Sequence, residues 1–529
     1  MKYKLLFILS LIAIQNITPN TPKLTVVFVV DQLASHYLTK LERNLSGGIK
    51  RFMDNGIIYT NAHQPLGKPS TAPGHVGMAT GTVPAEHGIV DNQIREGGKE
   101  MASADVDIKT STLTRHFLNA SPHNRAYSIA YKRRSAVGLA GKDAPAIWFD
   151  RSTGKFTSSK QYFAATPNWM VQFNDNNKQL NKKQNCWTLA HQDKKYYDYP
   201  CIDNYKYSSR KTLFDPQNLL TKSKSQRAFL QQFMMTPDSS QVLLDLGYTA
   251  IQELFDNNPD AHVLMWISIA NLDKVGHRFG PYARESIDTV YHIDQQIAQF
   301  MDKVAKVVPQ DQTFYALTAD HGIMPIPELL KQCYNSKAGQ RIMIQDIKQL
   351  INNDIKQMFG VRNIVTALPA PYVYLNQEKL DQLTPKVQFK ILGRIKETLE
   401  SIPGVKKIHS VQDLCLQAWK NGSTKWLFTN QLYPRRNGHF VIEVGEGVLL
   451  AKQTTGTKHN SPQSYNLHVP LMLYHPQKSE KKIIGDKVWI PQLTRTLAHV
   501  LKIPAPHKAM KMLPTNAAHR SQTDLLYLY

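Results

Sequence analysis

The clearest signal in the sequence is a run of apolar and β-branched residues, Leu24–Val30, that ends at Asp31. A run of this kind predicts a central parallel strand that is buried on both faces of a sheet. Runs of the same form occupy residues 262–269, 314–318 and 469–474. Acidic residues or histidines follow the first three runs. In open α/β sheets such positions meet at the carboxyl edge, where ligands bind.

Between these runs apolar residues recur every three or four positions, for example over 282–308, which predicts amphipathic helices. Alternating strands and helices predict an α/β fold with a doubly wound, mostly parallel sheet sandwiched by helices. The segments 151–258 and 326–450 are richer in Lys, Asn, Gln and Tyr and interrupt the alternation. We expect one domain over 21–510, with these segments inserted as cap subdomains, and a tail over 511–529.

The N-terminus carries the pattern of an export signal. Lys2 and Lys4 precede a mostly apolar run over 5–14, which is too short to span a bilayer because spanning takes about 20 residues. We therefore expect a signal peptide over 1–20 and a mature protein that is periplasmic or secreted. No other stretch of the sequence approaches a membrane span, so none is expected after signal removal.

The formal net charge of the 529-residue chain is +23, and it falls to 23 − 2 = +21 if Lys2 and Lys4 leave with the signal peptide. A surface this basic attracts anions such as phosphorylated substrates, acidic lipid head groups or nucleic acid. The lysines are scattered along the chain, however, and no nucleic-acid-binding motif accompanies them. Nucleic acid is therefore not expected as a partner.

The sequence contains four cysteines, Cys186, Cys201, Cys333 and Cys415. An even number in an exported chain allows one or two disulfides, and Cys186 with Cys201 is the easier pair because the two are close in sequence. No C-x-x-C pattern is present, which argues against a thiolate zinc site.

Five short polar segments hold the candidate chemistry. They are Asp31-Gln32, Ser70-Thr-Ala-Pro-Gly-His75 with Thr80-Gly-Thr82, Asp273-Lys-Val-Gly-His277, Thr318-Ala-Asp-His-Gly322 and Gly456-Thr-Lys-His459. Their aspartates and histidines are ligand types that suit two borderline divalent cations such as zinc. Asp273 and His277 lie four residues apart, so on a helical turn both side chains project to the same side. Asp320 and His321 are adjacent at a strand end, where successive side chains diverge and can line a site from two directions.

The order and content of these segments resemble the alkaline phosphatase superfamily. The likeness is closest to the phosphomonoesterases with a threonine nucleophile, whose relatives include the nucleotide pyrophosphatases/phosphodiesterases. It covers residues 25–470 and rests on Val-Val-Asp31-Gln, Thr-Ala-Pro-Gly-His75, the segment from Gly81 to Asn92, Leu272-Asp-Lys-Val-Gly-His277, Thr-Ala-Asp-His-Gly322 and Gly-Thr-Lys-His459. The resemblance implies an alkaline-phosphatase-like fold and a hydrolase that acts on small phosphorylated substrates.

Carried over to this sequence, the resemblance implies two zinc ions per subunit. The implied ligands are Asp273, His277 and His459 for one ion, and Asp31, Asp320 and His321 for the other. Thr71, beside the second ion, is the implied nucleophile and would form a phosphothreonine intermediate. Asn460 follows His459 where we expect glycine in relatives, which leaves the nearby His468 as an alternative ligand.

The resemblance also implies three residues that contact the phosphoryl group, Asn92, Lys132 and Arg134. Lys132 and Arg134 keep the spacing of the monoesterases, although Arg133 stands between them where an acidic residue is familiar. A monoester dianion has an extra charged oxygen that a Lys/Arg pair can neutralise, whereas a diester covers that oxygen with a second organic group. The pair therefore favours a phosphomonoesterase.

Two alternatives remain open. A phosphodiesterase or nucleotide pyrophosphatase of the same superfamily would use the same ligands and nucleophile. A non-catalytic, metal-stabilised binding protein would hold acidic polymers on its basic surface. Such a relative would be expected to lose Thr71 or a metal ligand, and all of these positions are filled. A sulfatase is disfavoured because its Cys/Ser-x-Pro-x-Arg setting is absent. The sequence does not predict the oligomeric state.

Overall fold

The computed structural model describes residues 21–177, 187–197, 225–333, 339–477 and 480–515. The expected signal peptide over 1–20 lies outside these ranges, as do Cys186 and Cys201, so export and the disulfide stay predictions. Cys415 is free and exposed, and it therefore takes no part in a disulfide. None of the helices within the described ranges is long and apolar enough to cross a bilayer.

Strands occur along the whole described part of the chain. In chain order they are β1 (Leu24–Val30), β2 (Ile57–Tyr59), β3 (Ala62–His63), β4 (Gln93–Glu96), β5 (Lys99–Ala102), β6 (Asn124–Ala130), β7 (Ala146–Asp150), β8 (Lys155–Thr157), β9 (His262–Ile269), β10 (Thr313–Thr318), β11 (Gln340–Met343), β12 (Val365–Ala367), β13 (Tyr372–Leu375), β14 (Val405–Ser410), β15 (Phe440–Val444), β16 (Val448–Ala451), β17 (Leu471–Tyr474), β18 (Lys482–Ile484) and β19 (Val488–Trp489).

Helices alternate with the strands. They are Ser35–Leu41, Gly48–Asn55, Thr71–Thr80, Pro84–His87, Leu113–Ala120, Arg133–Ala140, Asn168–Asn176, Gln226–Phe233, Pro237–Asn257, Asn271–Phe279, Arg284–Val304, Pro327–Cys333, Ile344–Phe359, Gln377–Asp381, Pro385–Glu400, Val411–Cys415, Thr424–Thr429, Ser464–Leu467 and Gln492–Val500.

The main sheet has the strand order β18-β2-β17-β10-β1-β9-β6-β7-β8. Its centre, β10-β1-β9-β6-β7, is parallel throughout. Strand β1 is buried along its whole length, as its unbroken apolar run predicted, because both faces of a parallel sheet are covered. The structure thus confirms the α/β fold with a mostly parallel sheet.

The run over 469–474 is not a parallel strand, contrary to our expectation. It forms β17, which runs antiparallel to β10. The chain approaches β17 from the carboxyl edge, since the backbone N–H of Gly322, just after β10, donates to the carbonyl of Asn466 at 2.8 Å. A parallel strand would need a crossover of about a dozen residues to return to the amino edge. The few residues between Asn466 and β17 do not allow one.

The first expected insertion, 151–258, extends too far at both ends. Strand β8 belongs to the main sheet, and helix Pro237–Asn257 packs against β9 and helix Arg284–Val304. This helix buries one apolar side, including Leu243 and Leu246, in the main core. A mixed composition that suggests an insertion can thus belong to an amphipathic helix of the central layers, because only one face of such a helix is apolar.

The domain also continues past residue 510, where we expected the tail to begin. Leu513 is buried in the main core, and its backbone N–H donates to Thr496 Oγ1 at 3.0 Å. The carbonyl of Pro514 accepts from the Tyr59 hydroxyl at 3.1 Å. Residues 511–515 therefore pack on the domain.

The second expected insertion contains a subdomain with a core of its own, and we call residues 340–451 the cap. Its four-stranded sheet has the order β12-β13-β15-β14. Helices Ile344–Phe359 and Pro385–Glu400 pack on each other and bury isoleucines such as Ile351 and Ile395 in the cap core. Strand β16 pairs in parallel with β11 and ends the cap. The chain then runs on to His459.

Candidate active site

Three adjacent parallel strands deliver most of the predicted ligands to one edge of the main sheet. Asp31 follows β1, and Asp320 and His321 follow β10. Helix Asn271–Phe279, which follows β9, carries Asp273 and His277 one turn apart. Because β9, β1 and β10 are neighbours with the same direction, their carboxyl ends bring these side chains together. His459 joins them from the loop that follows the cap.

The first cluster consists of Asp31, Asp320 and His321, each of which is fully buried. One ligand atom from each residue lies within 4.8 Å of the others. The buried atoms Asp31 Oδ1, Asp320 Oδ2 and His321 Nε2 have no hydrogen-bond partner among the residues that the structure describes. Buried polar atoms are normally satisfied, since leaving one without a partner is costly. A cation coordinated by all three would satisfy them, so this cluster fits a metal ion.

The second cluster consists of Asp273, His277 and His459, whose ligand atoms also lie within 4.8 Å of one another. The Nε2 atoms of His277 and His459 are 3.3 Å apart. Each ring directs Nδ1 at a backbone carbonyl at 2.8 Å, that of Thr457 for His277 and that of Pro69 for His459. Carbonyls only accept, so Nδ1 carries the proton in both rings. In neutral rings the two Nε2 lone pairs then face each other, which a shared cation would stabilise.

The histidines of both clusters share this arrangement, because His321 Nδ1 contacts the carbonyl of Gly322 at 3.0 Å. A backbone acceptor on Nδ1 fixes the tautomer and orients Nε2 toward a metal. Burial, together with the neighbouring rings of His321 and His277, lowers the pKa of His459 well below its usual value. His459 is therefore neutral, which is the form that binds metals. Carboxylates combined with imidazoles form a donor set suited to zinc.

Lys132 lies between the two clusters, with Thr71 beside it. Thr71 begins helix Thr71–Thr80 and is 1% exposed. The Lys132 ammonium lies 3.5 Å from Thr71 Oγ1 and donates at 2.5 Å to both Asp31 Oδ2 and Asp273 Oδ2. One side chain thus contacts the predicted nucleophile and one carboxylate of each cluster.

The site is rich in negative charge. Burial, followed by the carboxylates of Asp273 and Asp320, raises the pKa of Asp31 to about 8. Burial alone would lower the pKa of Lys132, but the carboxylates of Asp273 and Asp31 outweigh it and the pKa rises. The two clusters thus contain three carboxyl groups, and one ammonium group, that of Lys132, is in direct contact with them. The deficit of positive charge is a second property that fits bound cations.

Gln32 connects the two clusters, a role that the sequence did not reveal. Its backbone N–H donates to Asp320 Oδ1 at 3.1 Å and its side-chain amide donates to Asp273 Oδ1 at 2.9 Å. Gln32 has a φ of 73°, which is uncommon outside glycine. A Cβ atom at Gly276 would lie 1.9 Å from Gln32 Oε1, so this glycine makes room for the side chain. The available signals were its position directly after Asp31 and the glycine in Asp273-Lys-Val-Gly-His277.

His75 holds the helix of Thr71 against the first cluster. Its Nδ1 lies 2.8 Å from the Thr71 carbonyl and 3.3 Å from Asp320 Oδ2, and its Nε2 lies 2.8 Å from Ser268 Oγ. A Cβ atom at Gly74 would lie 2.5 Å from the Asp320 carbonyl, so the glycine permits this close approach. His75 therefore links Thr71 and Asp320 to Ser268 at the end of β9.

Two of the three residues expected to contact the phosphoryl group, Asn92 and Lys132, lie beside the start of the Thr71 helix. Asn92 Oδ1 accepts from the backbone N–H of Ala72 at 2.9 Å, which fixes the orientation of its amide. Arg134 is half-buried, and its buried Nε has no partner within the described part of the chain. Burial and then the charge of Lys132, with Arg134 contributing, lower the pKa of Lys274 to about 8. The cationic side chains of Lys132, Arg134 and Lys274 are therefore close enough to act on one another.

Arg133 and His468 lie apart from this group. Arg133 is exposed, pairs with Asp105 at 2.5 Å and stacks over Trp148. His468, the alternative ligand, directs Nε2 at the Thr60 carbonyl at 2.8 Å and stacks on His63. The structure therefore places His459, and not His468, in the metal-type cluster.

Comparison with known proteins connects this geometry to a family. The model of the type I phosphodiesterase / nucleotide pyrophosphatase family matches residues 25–468. The chain belongs to this family. It is 27% identical to alkaline phosphatase PafA of Elizabethkingia meningoseptica, over 92% of this chain and 93% of that protein. It is 26% identical to alkaline phosphatase PhoV of Synechococcus elongatus, over 92% of this chain and 91% of that protein.

The crystal structure of alkaline phosphatase PafA has the same fold. It matches with a TM-score of 0.83 at 25% identity, over 93% of this chain and 98% of that one. The likeness confirms the alkaline-phosphatase-like architecture of this family member. Together with the family match, it identifies the protein as a hydrolase that acts on phosphate esters.

Proposed function

We propose that this protein is a metal-dependent phosphomonoesterase that hydrolyses small phosphate esters through a phosphothreonine intermediate on Thr71. The observation that carries the proposal is the position of Lys132, which contacts Thr71 Oγ1 and a carboxylate of each metal-type cluster. A phosphoryl group bound at Thr71 would therefore lie beside both clusters and beside a fixed cation. The kinship with proteins named alkaline phosphatases supports the same function.

Two divalent cations, which we propose to be zinc, would be held by the two clusters. One site would comprise Asp31, Asp320 and His321, and the other Asp273, His277 and His459. When bound, such ions supply Lewis-acid stabilisation of phosphoryl oxygens and make hydroxyl groups easier to deprotonate. The orphaned atoms of the first cluster and the facing Nε2 atoms of the second support this assignment.

The residues of the chain would then carry two displacements. The Thr71 hydroxyl loses its proton to solvent and Oγ1 attacks phosphorus, the new Oγ1–P bond forms as the ester P–O bond breaks, and the departing alcohol takes up a proton from solvent. Water next loses a proton and attacks the phosphothreonine, the Oγ1–P bond breaks, Thr71 Oγ1 takes up a proton, and inorganic phosphate leaves. Thr71 is the first residue of its helix, where the positive end of the helix dipole favours a negatively charged oxygen.

The transferred group spreads its charge over three equatorial oxygens, which need fixed donors. We assign these donors to Asn92, Lys132 and Arg134. The bond from Ala72 to Asn92 Oδ1 leaves the amide nitrogen of Asn92 to donate to a phosphoryl oxygen. Arg134, whose Nε has no partner among the described residues, and Lys132 supply positive charge for the second anionic oxygen of a monoester.

A double substitution of the basic pair tests the monoester preference. In the zinc-loaded protein, we expect Lys132→Ala with Arg134→Ala to lower kcat/KM for a monoester by about a hundredfold or more, because removing one preorganised donor already costs that much. The loss on a diester should be much smaller, since the esterified oxygen of a diester carries no negative charge for Lys132 and Arg134 to neutralise. The measurement is kcat/KM for both substrates, with zinc content determined for each variant.

Arg133→Ala provides the matched control, because Arg133 faces Asp105 and Trp148 instead of the site. It should leave both activities within about twofold of wild type, as expected of an exposed residue. Equal losses on the monoester and the diester in the double variant would contradict the assignment of the pair to monoester recognition.

A phosphodiesterase is the second candidate, because the matching family model describes type I phosphodiesterases and nucleotide pyrophosphatases. Hydrolysis of p-nitrophenyl phosphate and of bis-p-nitrophenyl phosphate at alkaline pH, with zinc and then with a chelator, separates the candidates. We expect metal-dependent preference for the monoester. Preference for the diester would move the protein to the phosphodiesterases, and turnover of neither would favour a non-catalytic binding protein.

We further propose export, on the basis of the apolar run near the N-terminus.

A further inference from the structure

A cleft of about 540 Å³ lies between the β4–β5 hairpin and the cap, outside the site described above. It is lined by Arg95, Lys348, Gln349, Asn352, Pro369 and Lys452, among others, and none of the lining residues within the described ranges carries a carboxylate. Its size lies within the range of small-molecule sites, which is about 300–1,000 Å³. The cleft therefore offers an open, positively charged space of the size of a small-molecule site.

Two of the cations in the cleft have no acidic partner in the part of the chain that the structure describes. Arg95 pairs with Glu100, which does not line the cleft. Lys348 donates to the carbonyl of Thr366 at 3.0 Å. Neither Lys348 nor Lys452 forms an ion pair with any residue in the described ranges. The remaining charge on these two lysines is available to an anion.

One wall of the cleft is connected to Asn92 by a short chain of contacts. The carbonyl of Pro369 accepts from Lys68 Nζ at 3.2 Å, and the same ammonium pairs with Asp91. Asp91 Oδ1 in turn accepts from the backbone N–H of Asn92 at 2.7 Å. Pro369 is thus held close to Asn92, the residue whose side chain accepts from Ala72 at the start of the Thr71 helix.

A second part of the lining, at Lys452, is connected to His459. Asn460, the residue after His459, donates its side-chain amide to the carbonyl of Leu450 at 2.9 Å. Leu450 lies on β16, two residues before Lys452. The asparagine that departs from the family pattern therefore ties the metal-type cluster to the strand that presents Lys452 to the cleft.

These two connections place the cleft beside the active site, one through Asn92 and the other through Asn460. Lys458, the residue before His459, is exposed and adds a further lysine to the loop that follows the cap. A substrate held by its phosphoryl group at Thr71 has to extend its alcohol out of a buried site, and the basic cleft would attract negative charge on that alcohol.

We propose that the cleft binds a second phosphate group carried on the alcohol part of the substrate. The enzyme then prefers small phosphate monoesters whose leaving group is itself phosphorylated. This inference rests on the proposed function, because it assumes that the first phosphoryl group is bound at Thr71. Lys348 and Lys452 are the specificity-determining residues, and the cap supplies the wall that simple monoesters do not reach.

The test measures binding, so that it does not depend on turnover. A series of α,ω-alkanediol bisphosphates of increasing length and the matching alkanediol monophosphates are titrated calorimetrically into the zinc-loaded Thr71→Ala protein. At the best length we expect the bisphosphate to bind about tenfold more tightly than the monophosphate, the value of one charge-assisted contact. Lys348→Ala with Lys452→Ala, added to this background, should abolish the difference.

The control removes the same charge from a different surface. Lys386→Ala with Lys390→Ala changes two exposed lysines of helix Pro385–Glu400 that do not line the cleft, and it should leave the preference intact. Equal loss of preference in both double variants, or equal affinity of bisphosphate and monophosphate at every length, would overturn the proposal. Wild-type hydrolysis of p-nitrophenyl phosphate, measured in parallel, reports separately on the proposed function.

Discussion

Replacing Thr71 by alanine should lower kcat by at least about a thousandfold, since removing a catalytic nucleophile removes the reaction path that depends on it. The fold and the zinc content should be unchanged, because Thr71 is not a member of either metal-type cluster. The substitution also removes little volume from the core. The measurement is turnover of p-nitrophenyl phosphate, together with metal analysis and circular dichroism of the variant.

Thr71→Ser is the matched control for this substitution. Serine keeps the hydroxyl group at the first position of the helix, within reach of Lys132, so most of the activity should remain. Activity in Thr71→Ala close to that of wild type would refute Thr71 as the nucleophile. A comparable loss in Thr71→Ser would indicate that the methyl group, and not the hydroxyl, is what the site requires.

Replacing His459 by alanine should cost more than about a hundredfold in activity and should weaken one of two zinc sites, since even indirect partners of metal ligands cost 10–100-fold. His459 Nε2 lies 3.3 Å from His277 Nε2 and 3.8 Å from Asp273 Oδ1. Removing the imidazole ring leaves Asp273 and His277 as ligands, and two ligands should bind the ion more weakly than three. Zinc content per chain, measured after dialysis, and turnover of p-nitrophenyl phosphate check this prediction.

His468→Ala is the matched control, because this second late histidine contacts the Thr60 carbonyl and His63 instead of the cluster. It should keep both zinc equivalents and most of its activity. A chelator should abolish wild-type turnover, and added zinc should restore it. If His468→Ala lost zinc while His459→Ala retained it, the assignment of the late ligand would be reversed.

Much of the site could be predicted because its residues lie at the ends of recognisable strands. The apolar runs before Asp31 and Asp320 fix where each strand ends, and parallel pairing then brings the ends together. The four-residue spacing of Asp273 and His277 likewise encodes their common direction on a helix. These features depend only on local sequence and on the rules of parallel sheets.

Other features depend on contacts between distant segments, which a local pattern does not encode. The direction of β17 follows from the position of Asn466 beside Gly322. The role of Gln32 depends on the space that Gly276 leaves for it. One lysine of the cleft lies on a cap helix and the other directly follows the cap, and only the folded chain brings both into one cleft with Arg95. The amphipathic helix Pro237–Asn257 looked like part of an insertion because composition alone does not show which face is buried.

The most direct test of the account is the stereochemical course at phosphorus. A phosphate monoester made chiral with three oxygen isotopes is turned over in the presence of an acceptor alcohol, and the configuration of the transferred phosphoryl group is determined. Each in-line displacement inverts phosphorus. Transfer through phosphorylated Thr71 requires two displacements, so we predict net retention. Net inversion would show a single displacement by the acceptor and would contradict the phosphothreonine intermediate.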